Sequence, residues 1–235
     1  LREESTSADI SPAAGLSPDS VSVSISAAAG DIYFTLDGSN PNVESSLYSA
    51  PFELTESTVV RARVFEPGKV AGEIVTSTYL IGESFASGLP VLSLSAPPET
   101  LFGSQIGIYG AKNASGGSVH KRVDAPGHLE FFPVDGSEGF AVNGGFRLGG
   151  ENNWASHAQK AFNFATRGKY GDDAITYDLF PGSGIPQFTA LTIREGGDDW
   201  SQARLTDGIF EPLTKETMEV EANRIRSAVL FVNGE

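Results

Sequence analysis

The chain has 235 residues and a net charge of −14, with no Lys/Arg cluster of the kind that tracks nucleic acid, so a nucleic-acid partner is not expected. It contains no cysteine, which excludes disulfides and thiol chemistry, and no run approaches the roughly 20 apolar residues of a membrane span. With 40% hydrophobic and 20% charged residues it reads as ordered, and its 27 Gly, 13 Pro and 15 Phe lean towards strands and turns, in one large domain or two small ones.

Residues 1–11 (LREESTSADIS) show no apolar period and are expected to be a flexible lead-in. From Pro12 the pattern becomes all-β. Val21, Val23 and Ile25 alternate with serines, and a strand over residues 32–36 breaks at the tight-turn pair Asp37-Gly38. Tyr48 and Phe52 follow, then strands over residues 59–65 and 74–81 separated by Pro67-Gly68. Short strands with turn signals every 8 to 12 residues, roughly, predict a small β-sandwich over residues 12–81. Asp37, Ser39 and Asn40 can be read as calcium ligands or as turn formers whose side chains bond nearby backbone.

The segments IYFTLDGSNP, SSLYSAPFEL, TVVRARVFEPG and TSTYLI resemble the chitobiase/β-hexosaminidase C-terminal-like module, an immunoglobulin-like sandwich appended to secreted bacterial enzymes and surface proteins. The resemblance implies an accessory or spacer in an extracellular or cell-surface setting, more than an activity. An acidic, small-residue, cysteine-free composition fits a bacterial envelope or secreted protein.

Residues 82–88 (GESFASG) read as a linker, and residues 89–235 have a different texture. LPVLSLS is a buried-strand candidate, and LFGSQIGIYG leads into a polar Gly/Ser/Asn loop. HLEFFP and residues 140–148 alternate on either side of Asp135-Gly136 and predict a hairpin. The stretch GGFRLGGENNWASHAQKAFNF then reads as a strand with Phe146 and Leu148 on one face, a turn at Gly149 and Gly150, and a second strand carrying Lys160 among Ala158, Phe162 and Phe164. Two readings fit it: a turn beside a lysine whose stem packs on the core, or a grip on phosphate in which glycine backbone N–H groups and an ammonium meet an anion.

Further on, Arg147 and Arg194 are strand-borne, and Asp198 and Asp199 either hold a divalent cation or complement a helix N-terminus. Leu205, Ile209 and Leu213 mark an apolar helix face, with a break expected at Glu211 before Pro212. His120, His128 and His157 are scattered without metal-ligand spacing, so no metal site is assigned, and no GxSxG context supports a hydrolase.

In order, LPVLSLS, LFGSQIGIYG, HLEFFPVDG, NGGFRLGG, QKAFNF, KYGDDAITYDLFPG, FTALTIREGGDDW, LTDGIFEPL and AVLFVNGE resemble the N-terminal part of the CotH kinase family, secreted or spore-coat proteins with a divergent kinase-like fold. The expected fold is therefore mainly β with minor α: a sandwich followed by a kinase-N-lobe-like α+β region. The resemblance implies that Gly149, Gly150, Lys160 and Asp207 face a nucleotide, with Asp207 (or Glu211) pairing with the lysine. It implies ATP with Mg²⁺ or Mn²⁺ as cofactor and a surface or coat protein as the substrate phosphorylated on Ser or Thr. Two departures are plain: Glu151-Asn152-Asn153-Trp154 stand where the family has small residues and an arginine, and Thr206 replaces an arginine before Asp207. In the family the catalytic aspartates follow the NGE strand, so their positions are expected after Glu235, in the rest of a longer parent chain, and residues 1–235 are expected to be inactive alone. The alternatives are a non-catalytic adhesion or carbohydrate-associated module, for which Trp154 and Trp200 are candidate sugar contacts, and a pseudokinase scaffold.

Overall fold

A computed structural model describes residues 2–82, 88–104, 107–109, 124–149, 158–196, 209 and 224–235. The protein is mainly β with little helix. Eight strands form an immunoglobulin-like β-sandwich: β1 (Ala8–Ser11), β2 (Gly15–Ser17), β3 (Val21–Ala27), β4 (Asp31–Thr35), β5 (Ser46–Leu47), β6 (Phe52–Leu54), β7 (Thr58–Phe65) and β8 (Val75–Ile81). One sheet has the order β1-β3-β6 and the other β2-β8-β7-β4-β5, antiparallel except for the β2–β8 pair.

Period-two alternation explains the core between these sheets. Val23 and Ile25 on β3, and Val60, Ala62 and Val64 on β7, point inward and pack with Ala8, Ile10, Leu54 and Tyr79. Phe34 stacks on Phe52 with centroids 4.9 Å apart, and Tyr48 meets both edge-on. The Tyr79 hydroxyl leaves this core to donate to the Pro12 carbonyl at 2.6 Å, and burial followed by the charge of Glu130 pushes its pKa up to about 12.

The expected flexible lead-in is corrected at its end. Residues 8–11 form β1, antiparallel to β3 with Ile10 opposite Ile25, because Ala8 and Ile10 alternate with Asp9 and Ser11 and find an apolar face waiting. Upstream, Ser5 donates from its backbone and its hydroxyl to the Val70 carbonyl, both at 2.8 Å, and Thr6 N–H donates to Glu66 Oε1 at 2.8 Å.

The later elements are β9 (Val91–Ser95), helix α1 (Pro98–Phe102), β10 (Ala125–Phe132), β11 (Phe140–Leu148), β12 (Phe162–Ala165), a 3-10 turn over Gly168–Tyr170, β13 (Ile175–Thr176), β14 (Gln187–Phe188), β15 (Ala190–Ile193) and β16 (Val229–Val232). The chain divides into two compact units. The first holds residues 1–98, 130–137 and 230–235, so β9 falls with the sandwich although the sequence places residues 89–95 in the second region. In it, the strand order beyond the sandwich is β10-β9-β16. The second holds residues 99–129 and 138–229, with the order β15-β12-β11-β10 and the small β13–β14 pair.

In the second unit Phe146 and Leu148 lie opposite Phe164 and Phe162, which in turn face Leu191 and Ile193. Phe146, Phe162 and Phe164 are fully buried. Two glycines on β11 make this possible: a Cβ on Gly144 would sit 2.4 Å from Phe164 Cζ, and one on Gly145 would sit 2.4 Å from Tyr170 Cε2. Asp135-Gly136 forms the expected turn, Asp135 Oδ1 accepting from Ser137 N–H at 3.0 Å and from its hydroxyl at 2.6 Å.

Candidate functional site

Lys160 sits two residues ahead of β12 rather than inside it. The strand is held to β11 there by Gly149 N–H donating to the Ala161 carbonyl at 2.8 Å, so the glycine that ends β11 and the lysine that leads into β12 are brought side by side. Gly149 has a structural reason to lack a side chain, since a Cβ would lie 3.3 Å from Ala161 Cβ and 3.5 Å from Asn163 Nδ2.

The lysine faces the aromatic side of the sheet, as alternation with Phe162 requires. Its Nζ lies 5.8 Å from the Tyr109 ring centroid, and Tyr109 packs on Phe102 at 5.4 Å and Phe162 at 6.4 Å. Only 9% of Lys160 is exposed. Burial therefore lowers its pKa, and the charge of Glu195 acts in the opposite direction.

Glu195, itself buried, is the residue that sequence reading missed. Phe162 pairs with Ile193, and continuing that antiparallel register by two residues sets Lys160 opposite Glu195. The pairing was visible only once the register was known. Burial likewise pushes the Tyr109 phenol up. The arrangement is a cation of reduced hydration, backed by a carboxylate and an aromatic ring, next to a glycine.

Gly150 and Asp207 lie outside the described residues, as do Glu151, Trp154, Asp198, Asp199, Trp200, Glu211, His120 and His157. Arg147 is half-exposed and pairs with Asp124 at 3.6 Å, and Asp124 also accepts from Arg167 Nη1 at 2.6 Å. His128 is buried, with Nδ1 2.8 Å from Asn143 Oδ1. Among the described residues no three His, Asp or Glu side chains converge as a metal site would need.

In the sandwich, the Asp37-Ser39-Asn40 constellation is a turn. Asp37 Oδ1 accepts from Ser39 N–H at 2.9 Å and from its hydroxyl at 2.6 Å. Buried Arg61 fills the space beside it, Nη1 donating to the Gly38 carbonyl at 2.8 Å and Asn40 Oδ1 at 2.7 Å, and Nε to Thr76 Oγ1 at 3.2 Å. Burial lowers the Arg61 pKa to about 10 against the pull of Asp37.

Among the described residues no helix is long and apolar enough to cross a membrane. No curated protein and no solved structure matches the chain. Residues 12–76 match the sequence profile of the chitobiase/beta-hexosaminidase C-terminal domain, to which the sandwich is therefore similar in sequence as well as in architecture.

Proposed function

We propose that residues 89–235 are the N-terminal part of a CotH-like atypical protein kinase, with the sandwich as its extracellular accessory module, and that Lys160 faces the phosphates of ATP. The observation that carries this reading is the environment of Lys160: a nearly buried ammonium set against Glu195 and beside Gly149. A lysine whose only task was to fill the core would do so better as a methionine, because its charge is penalised by burial. The ordered series of nine segments supports the same assignment. Gly150 and Asp207 complete the proposed nucleotide-facing set, and Mg²⁺ or Mn²⁺ would accompany ATP. The reaction proposed for the parent is transfer of the γ-phosphoryl group to a Ser or Thr of a surface or coat protein, which requires aspartates to hold metal and to accept the hydroxyl proton.

Calorimetric titration of the chain with ATP in the presence of Mg²⁺ or Mn²⁺ tests this. We expect saturable binding that Lys160→Ala weakens by roughly tenfold or more. Absence of binding by the wild-type chain, or equal binding by the variant, overturns it.

A second reading, a carbohydrate-associated or adhesion module without catalysis, is favoured by the match of residues 12–76. Binding of a soluble chitin oligosaccharide that is lost in Trp154→Ala, with no nucleotide binding, would establish it instead. A protein that binds no nucleotide yet keeps the fold of its second unit would fit the pseudokinase alternative.

A further inference from the structure

The sandwich has a built-in partner in the last residues of the chain, all within the first compact unit. Asn233 adopts a left-handed backbone with φ 53°, and Gly234 follows at φ 87°. That turn aims the Asn233 carboxamide at two other segments. Its Oδ1 accepts from Ala96 N–H at 2.9 Å and its Nδ2 donates to the Ala96 carbonyl at 2.8 Å, while Asn233 N–H donates to the Leu94 carbonyl at 3.0 Å. Nδ2 also reaches the Asp37 carbonyl, at 3.5 Å.

The sandwich side is shaped to receive it. Gly38 has φ 79°, and a Cβ there would lie 2.7 Å from Asn233 Nδ2 and 3.0 Å from the Ala96 carbonyl oxygen. Arg61 holds the same turn from below through the Gly38 carbonyl. A row of buried hydroxyls continues the seam: Thr78 Oγ1 is 3.0 Å from Ser93 Oγ and donates to Glu130, which also accepts from Thr78 N–H at 3.2 Å. Thr78 and Ser93 are fully buried and Glu130 nearly so. The buried contacts of Thr78, Ser93 and Glu130 fix one geometry, because displacement leaves several groups unpaired away from water, while the Asn233 bonds to Ala96 are part-buried and the one to Asp37 is exposed.

We propose that the Asp37-Gly38 and Asn233-Gly234 turns form a latch that makes the sandwich, β9 and β16 open and close as one body, so that the sandwich is a clamp on the strands of the second region's sequence and not a tethered spacer.

Amide hydrogen exchange of the full chain tests the latch. Asn233→Gly deletes the carboxamide while a glycine accepts the left-handed backbone, so a change reports the lost side-chain bonds. We expect exchange to quicken roughly tenfold both at residues 37–40 and at residues 94–96, with the β1-β3-β6 sheet unchanged. Gly38→Ala, which pushes from the other side, should quicken exchange at residues 230–235. Faster exchange confined to the substituted segment in Asn233→Gly overturns the latch, and that variant decides alone should Gly38→Ala fail to fold.

Discussion

Asp37 and Lys160 show how two charged side chains with different surroundings set pH dependences of the same sign in different pH windows. Burial raises the Asp37 pKa, but hydrogen bonds from the Ser39 hydroxyl and backbone and the charge of Arg61 outweigh it and hold the carboxyl below its ordinary value of 3.8. Its stabilising contribution is complete above the unfolded value and disappears as pH falls through the lower folded one. Urea denaturation should therefore show wild type ahead of Asp37→Ala at neutral pH, with the gap narrowing below pH 3.8. Lys160 acts in the same direction at higher pH, through a penalty relieved rather than a stabilisation gained. Its folded pKa lies below 10.5, so the folded state binds that proton less well, the penalty stands in full below the folded value, and stability rises from there up to 10.5. Subtracting Lys160→Met from wild type at each pH isolates that slope, and a flat difference would contradict the assigned burial. The Asp37 turn was legible from Asp-Gly chemistry alone. The Lys160–Glu195 relation was not, since 35 residues separate them and only strand register joins them.

At the scale of elements, the pattern of apolar residues and turn signals revealed β3, β4, β7, β8 and the β10–β11 hairpin, although only β3 buries every second side chain while β7 and β8 are buried over longer runs. It failed for β1, where just Ala8 and Ile10 carry the signal and the polar residues before them dominate the composition. A strand that short exists through its partner, with Ile10 against Ile25. Ile10→Ala should cost about 2 kcal/mol or more in chemical denaturation. It also failed to show why β11 carries adjacent glycines, which are required by the rings of Phe164 and Tyr170. Gly144→Ala and Gly145→Ala should each lower stability by about 1–3 kcal/mol, Gly144 the more so, because the Ala165 carbonyl oxygen, 2.8 Å from the added Cβ, cannot swing aside as a side chain can.

Over the whole molecule, the mainly β class and the sandwich were legible from turn spacing and motif order. The division into compact units was not, because β9 and residues 230–235 join the sandwich through contacts remote in sequence. The net charge of −14 gives the folded chain self-repulsion that counter-ions relieve. Raising salt from low to physiological strength should raise the melting temperature measured by calorimetry, and a fall would show that local ion pairs such as Lys69–Glu66 at 2.8 Å outweigh the global field. The position of β1 at the border of its three-stranded sheet also bears on self-association. Were residues 2–11 removed, the backbone of β3 that now pairs with β1 would become an open template flanked by Val23 and Ile25. The predicted result is strand exchange and concentration-dependent aggregation, with β1 shielding the β3 edge from other chains.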